Sequence, residues 1–272
     1  MTSRTDTPHT EALASSRTLV IGGTSGIGFA VASGAIAFNS HVFITSSSEE
    51  KVSKAISRLQ SLYPNGKISG IAADLSSADT VESNIKLVLD EAVKFTGGPL
   101  DHIVSTAGAR WDPVKLDEVT AATAIDPSAQ TLRLIMPLMV AKHIAKYPGH
   151  YLSVSTKSSF TMTSGILVKW PQPGMSSLIL VGAGVEGLSR CLAIDLKPIR
   201  VNLVTPGVIN TELLDARWKE VREKFAKSTL VNELGAPNDC AEAYLFAMRS
   251  KFLTGHEIII DGGTLSMLPV AA

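Results

Sequence analysis

Short β-rich runs alternate along the chain with longer stretches in which apolar residues recur at helical spacing. The apolar runs at 18–21, 41–45, 68–73, 102–105, 151–155, 200–204 and 257–260 read as buried strands. Between them the pattern predicts helices starting near Gly26, Glu49, Asp79, Val119, Ser176, Glu212 and Asn238. Alternation of this kind predicts one doubly wound α/β domain of Rossmann type, a seven-stranded parallel sheet with helices on both faces. The domain is expected over 17–272, behind a disordered polar tail at 1–16 that lacks the apolar stretch of a signal peptide. The longest irregular stretch, 157–174, leaves the fifth predicted strand and carries Lys169, Trp170 and two prolines. Ligands of doubly wound sheets sit beyond the carboxyl ends of the strands, so this loop is expected to wall a pocket.

Composition narrows the partners. The 272 residues suffice for one sizeable core, and 25 basic side chains balance 25 acidic ones, so nothing favours nucleic acid or an anionic membrane surface. No apolar run is read as approaching the ~18 residues that span a bilayer. Cys191 and Cys240 lie far apart in helical patterns and are expected as reduced core thiols of a cytoplasmic protein. The six histidines have no metal-ligand spacing, and no metal is expected.

Chemistry enters after the first strand, where Ile21 leads into Gly22, Gly23, Thr24, Ser25, Gly26, Ile27 and Gly28. Gly22 permits a tight turn, and Gly26 and Gly28 remove side chains where backbone must approach a pyrophosphate or the sheet. The helix opening there aims its free N–H groups and positive dipole end at phosphates. A tight turn alone would also use glycines, so the weight comes from the position between a strand and an apolar helix. At the end of the second strand Ser46, Ser47 and Ser48 precede Glu49, Glu50 and Lys51. Hydroxyls and a lysine suit a 2′-phosphate, so NADP(H) is expected over NAD(H), although the serines would equally cap the helix that follows.

Further segments follow in order. Asp74-Leu75 comes after the third strand and Thr106-Ala107-Gly108 after the fourth. Arg200-Val201-Asn202, Pro206-Gly207, Ile209 and Thr211 come with the sixth, and Gly235 to Pro237 leads on to Thr254-Gly255 and Asp261-Gly262-Gly263. With these motifs the chain resembles the short-chain dehydrogenase/reductase family over 17–263. The resemblance implies an adenine contact at Asp74, a segment along the nicotinamide from Arg200 to Thr211, and a dimer or tetramer formed through the helices near Val119 and Ser176.

One family feature is missing. A tyrosine there protonates the nascent alkoxide, and a lysine four residues later lowers its pKa. Those places fall on Leu178 and Gly182, the family's serine on Thr156, and its helix asparagine on Gln130. Tyr63 and Lys67 have the right spacing but lie in a turn and are set aside. Ordinary ketone reduction is therefore not expected. Hydride transfer to an iminium carbon needs no proton donor, and a ring closure needs mainly positioning.

Resemblance extends to a fungal subgroup without the Tyr/Lys pair, through the segments at 195–202 and 141–143. It implies an indole-alkaloid enzyme that reduces iminium species, steers a Diels–Alder reaction or closes a Pictet–Spengler ring. The cycloaddition members use an arginine on the helix after the fourth strand and an aspartate–tryptophan pair in the loop. Arg133 and Trp170 match two of these, and Leu167 or Val168 stands in the aspartate's place. The catalytic candidates are Arg133, Trp170, Thr156, Lys157 and Asp112. Against them stand plain alternatives: Arg133 snorkels to the surface, Trp170 and Trp111 anchor loops, and Arg110 pairs with Asp112. Three functions stay open: an NADP(H)-dependent imine reductase with or without cyclisation, a non-redox cyclase that keeps NADP(H) as structure, and a binding protein without catalysis.

Overall fold

A computed structural model describes residues 11–108, 112–212, 214 and 219–267. The strands are β1 (Arg17–Ile21), β2 (His41–Ser46), β3 (Ile68–Ala72), β4 (His102–Ser105), β5 (Ser159–Thr163), β6 (Arg200–Pro206) and β7 (Glu257–Ile260). They form one parallel sheet in the order β3-β2-β1-β4-β5-β6-β7. The helices are α1 (Gly26–Ala37), α2 (Glu49–Leu62), α3 (Val81–Thr96), α4 (Pro127–Gln130), α5 (Met136–Lys146), α6 (Ser176–Asp195), α7 (Lys219–Lys227) and α8 (Pro237–Arg249). Strands covered on both faces are buried along most of their length, which is why Leu19-Val20-Ile21 of β1 and Ile103-Val104 of β4 form short apolar runs. Along β1, Leu19 and Ile21 enter the core shared with α3, α5 and α6, while Val20 enters the one shared with α1, α2 and α8.

The fifth strand is displaced from its expected position. Residues 151–155 contribute only a single bridge, Leu152 to Leu100, and β5 begins at Ser159. Its sequence, Ser159-Phe160-Thr161-Met162-Thr163, is hydroxyl-rich yet wholly buried. Neighbours satisfy two of its three hydroxyls, leaving Thr161 Oγ1 without a partner: Ser159 Oγ lies 2.9 Å from His102 Nδ1, and Thr163 Oγ1 donates to Ser105 O at 2.6 Å. Hydropathy does not anticipate that compensation, so the Tyr151 run competed successfully for the strand reading.

Other boundaries shift as well. Leu13 is fully buried and Ser15 N–H donates to Asn39 O at 2.9 Å, so packing starts inside the expected tail, whose residues 1–10 lie outside the described ones. The helix expected near Val119 begins at Pro127, where Asp126 Oδ1 accepts from Ala129 N–H at 2.7 Å. Among the described residues the helix expected near Glu212 starts at Lys219.

α6 corrects the membrane reading, because its 20 residues are apolar enough to span a bilayer by length and composition. Here it lies on the sheet with Val181, Val185 and Leu192 buried, leaving Leu180 and Ile194 outside. Cys240 is a core thiol as expected, whereas Cys191 is exposed on α6.

Arg200 and Asn202 are also placed differently from the expected nicotinamide segment. They lie at the start of β6, away from the carboxyl edge, where Arg200 donates to the carbonyls of Thr156, Lys157, Ala247, Met248 and Leu253. Asn202 Nδ2 donates to Leu253 O at 2.9 Å. Both close the base of the sheet onto the end of α8, and only the Pro206–Thr211 part of that segment reaches the site.

Candidate functional site

Two adjoining cavities open at the carboxyl edge. The larger, about 520 Å³, is lined at the glycine turn by Gly22, Thr24, Ser25, Gly26, Ile27 and Gly28. Ser46, Ser47, Lys51 and Asp74 line its far end, and Thr106, Ala107 and Gly108 its floor. Pro206, Gly207, Ile209 and Thr211 close it from β6. Ser48 stands apart from the other expected cofactor residues: its Oγ accepts from Lys51 N–H at 3.5 Å and caps α2.

The turn has no room for side chains. A Cβ on Gly22, where φ is +86°, would lie 2.8 Å from Ala107 N, and one on Gly28 would lie 2.2 Å from Gly22 O and 2.4 Å from Thr106 Oγ1. Gly28 thus serves the packing of α1 against the turn and β4. Thr106 takes part directly, its Oγ1 donating to Ile21 O at 3.1 Å. The cradle at a helix N-terminus, with hydroxyls and Lys51 at the far end, fits the diphosphate and ribose of a dinucleotide. Asp74 is held by Ser76, whose Oγ and N–H donate to Oδ1 at 2.6 and 2.9 Å and push its pKa below the ordinary carboxylate value.

The smaller cavity, about 320 Å³, is walled mainly by apolar side chains, among them Leu167, Val168, Met175, Leu178, Val181 and Phe225. Arg133 lines both cavities. It sits in a π-helical turn, Thr131–Ile135, between α4 and α5. The wider turn changes which residues face inward, and such turns recur at functional sites. Arg133 Nη1 donates to Thr163 O at 2.9 Å, and a Cβ on Gly108 would lie 2.3 Å from Nη2, so the guanidinium rests on a surface only glycine leaves open. Burial lowers its pKa, but a guanidinium stays charged at neutral pH.

The remaining candidates fall elsewhere. Thr156 and Lys157 precede β5 and lie at the base of the sheet, where their carbonyls accept from Arg200 at 2.8 and 3.3 Å. Both are corrected as site residues, because the register of β5 sends its other end to the cavities. The hydroxyl that reaches them is Ser164, which lines both, is nine-tenths buried and has no hydrogen-bond partner. Reading β5 from 159 would have found it.

Trp170 does not line the cavity. It packs edge-on against Phe225 with centroids 6.4 Å apart, and Phe225 lines the wall. Asp112 is exposed and lines neither cavity, nor does Gln130, while Arg110 and Trp111 lie outside the described residues. Leu178 and Gly182 both face the smaller cavity. Among the described residues no tyrosine lines either cavity, and Lys51 is the only lysine. The missed carboxylate is Asp126 at the mouth, whose pKa is lowered by the Ser128 hydroxyl and the Ala129 N–H that bond it. Its helix-capping role is legible in Asp126-Pro127, but its cavity position is not.

Residues 9–267 match the SDR-like Rossmann domain family. The short-chain dehydrogenase/reductase ucsE of Acremonium sp is 38% identical over 255 residues, covering 91% of this chain and 94% of the relative. The short-chain dehydrogenase/reductase malC of Malbranchea aurantiaca is 34% identical, covering 91% of this chain and 93% of the relative. The structure of the MalC reductase/Diels-Alderase from that fungus superposes with a TM-score of 0.87 at 32% identity, over 95% of this chain and 100% of that one. The chain belongs to the short-chain dehydrogenase/reductase family, and its larger cavity is that family's nicotinamide dinucleotide site.

Proposed function

We propose that this protein is an NADP(H)-binding tailoring enzyme of fungal indole-alkaloid biosynthesis, acting on an imine or iminium intermediate by hydride reduction, stereocontrolled ring closure or both. The observation that carries this reading is the face α6 turns to the substrate cavity. It presents Leu178 and Gly182, the positions that the resemblance assigns to a proton-donating tyrosine and its lysine. Val168 Cγ2 lies 2.3 Å from where a Cβ on Gly182 would be, so the space a lysine stem needs is filled by the pocket wall.

The dinucleotide, when bound, supplies hydride, and an iminium carbon accepts it without a partner acid. The chain's own groups would then orient the substrate. Arg133 at the junction of the cavities presents a half-buried cation to a substrate oxygen, and the apolar wall excludes water from the reacting face. Asp126 at the mouth balances the iminium charge, keeping the cationic end of the substrate away from Arg133. The MalC likeness supports this class, since that relative is named for both a reductase and a cycloaddition activity. The same cavity suits the non-redox alternative, a Pictet–Spengler-type closure with NADP(H) retained as structure. A built substrate pocket speaks against a binding protein without catalysis.

The deciding experiment supplies a candidate indole iminium with NADPH and follows both NADPH absorbance and product stereochemistry. Loss of absorbance with a reduced product supports the reductase. A cyclised product at constant NADPH supports the cyclase, and no product from a panel of iminium substrates overturns the proposal. Ser46, Ser47 and Lys51 favour NADP(H) over NAD(H). The exposed Leu180 and Ile194 on α6 favour a homo-oligomer through that helix, which sedimentation of wild type against Ile194→Glu would test. A cytoplasmic setting suits the exposed thiol of Cys191.

A further inference from the structure

The amide cradle at the start of α1 already holds an anion supplied by the chain. The first turn of α1 contains no acidic residue, and Ser25 makes no side-chain cap. Instead Gly26 N–H donates to Glu212 Oε2 at 3.1 Å, across a sequence separation of 186 residues. Thr211 lies over the same glycine, its Cγ2 3.0 Å from where a Cβ on Gly26 would be. Glu212 lines the nucleotide cavity together with Ser25, Gly26 and Ile27. A carboxylate is drawn to these amides for the reason a phosphate is, the positive end of the helix and its unpaired N–H groups.

We propose that Glu212 is an internal competitor of the dinucleotide diphosphate, holding the cradle in the unloaded protein and leaving it when the dinucleotide binds. Two anions repel at contact distance, and the Gly26 amide carries one proton to share, so both cannot keep this position. Glu212 therefore lowers dinucleotide affinity. The inference rests on the dinucleotide site alone and not on the iminium reading.

The test is calorimetric titration of NADPH into wild type, Glu212→Gln and Glu212→Ala. Both variants should bind about twofold to fivefold more tightly, the size of one charge at a helix N-terminus. Inorganic pyrophosphate, used as a bare probe of the cradle, should show the same ordering. Melting of the nucleotide-free protein should fall in Glu212→Ala by more than melting of the NADPH-saturated protein. Normal NADPH binding by wild type with unchanged or weaker binding by both variants overturns the competitor and leaves the dinucleotide site standing. No binding by any of the three overturns the site and the competitor together.

Discussion

The two cavities meet at Arg133, Ser164 and Thr211 but are built from different materials. The nucleotide cavity is made of backbone: a glycine turn, strand ends and a helix N-terminus. Its glycines cannot be exchanged, since a Cβ on Gly22 or Gly28 would sit inside 3 Å of the neighbouring main chain. The substrate cavity is made of side chains from α6, the 164–175 loop and the π turn, where one apolar residue can replace another. A backbone site leaves an obligatory mark in the sequence, and a side-chain site leaves a replaceable one. On the proposed reading, the first keeps its cofactor while the second changes its chemistry.

The contrast is tested most severely at Gly28. Gly28→Val should destabilise the fold by on the order of 3 kcal/mol, because its Cβ meets main chain that cannot yield. Thermal melting without nucleotide reads this directly, and a normal melting temperature would mean that the turn is not packed as described. In the other cavity, Arg133→Ala removes a charged donor worth ~1.5–3 kcal/mol, so turnover should fall at least about tenfold while NADPH affinity is largely kept. Equal losses of both would make Arg133 part of the nucleotide site.

Leu178→Tyr with Gly182→Lys installs the pair that the resemblance expects at these positions. It should create no ketone reductase and should cost ~1–3 kcal/mol of stability through the collision with Val168. Adding Val168→Ala should restore part of that loss in a denaturant titration. Efficient ketone reduction by the double variant would show that the pocket wall accommodates the pair and a ketone together.

Trp170→Ala acts through Phe225, an aromatic contact of ~0.5–1.5 kcal/mol, so KM and product stereochemistry should shift severalfold with kcat little changed. Lys51→Ala should have the smallest effect, weakening NADPH by ~0.5–1 kcal/mol and leaving NADH alone, as expected for one exposed charge. If NADH weakens equally, Lys51 does not read the 2′-phosphate.

Legibility followed the same division. The glycine turn, Ser46 and Ser47, Asp74 and the Thr106–Gly108 floor were readable because backbone geometry demands particular residues at particular steps, whereas Ser48 caps α2 instead. The substrate side was read in part. Arg133 was noticeable as a lone cation in an apolar helix, although its π turn was not. Thr156 and Lys157 were misplaced because a buried strand written in serine and threonine looks polar until its partners His102, Ser105 and Tyr244 are in view. Trp170 looked like a stacking surface because it lies in the right loop, yet the loop turns it onto Phe225.

What the sequence determined by itself was the doubly wound sheet, the dinucleotide turn and the identity of Leu178 and Gly182, where the resemblance expects a tyrosine and a lysine. All three depend on local spacing, hydrophobic period and residue identity, and these survive without knowledge of neighbours. Tertiary structure decided that the Ser164 hydroxyl lines the site, where Arg133 points, that Val168 fills the space beside Gly182, and that Glu212 reaches Gly26 across 186 residues. Each of those depends on strand register and side-chain packing between distant segments. A one-residue change in register turns every side chain of a strand to the other face, and nothing in the local pattern of β5 sets that register.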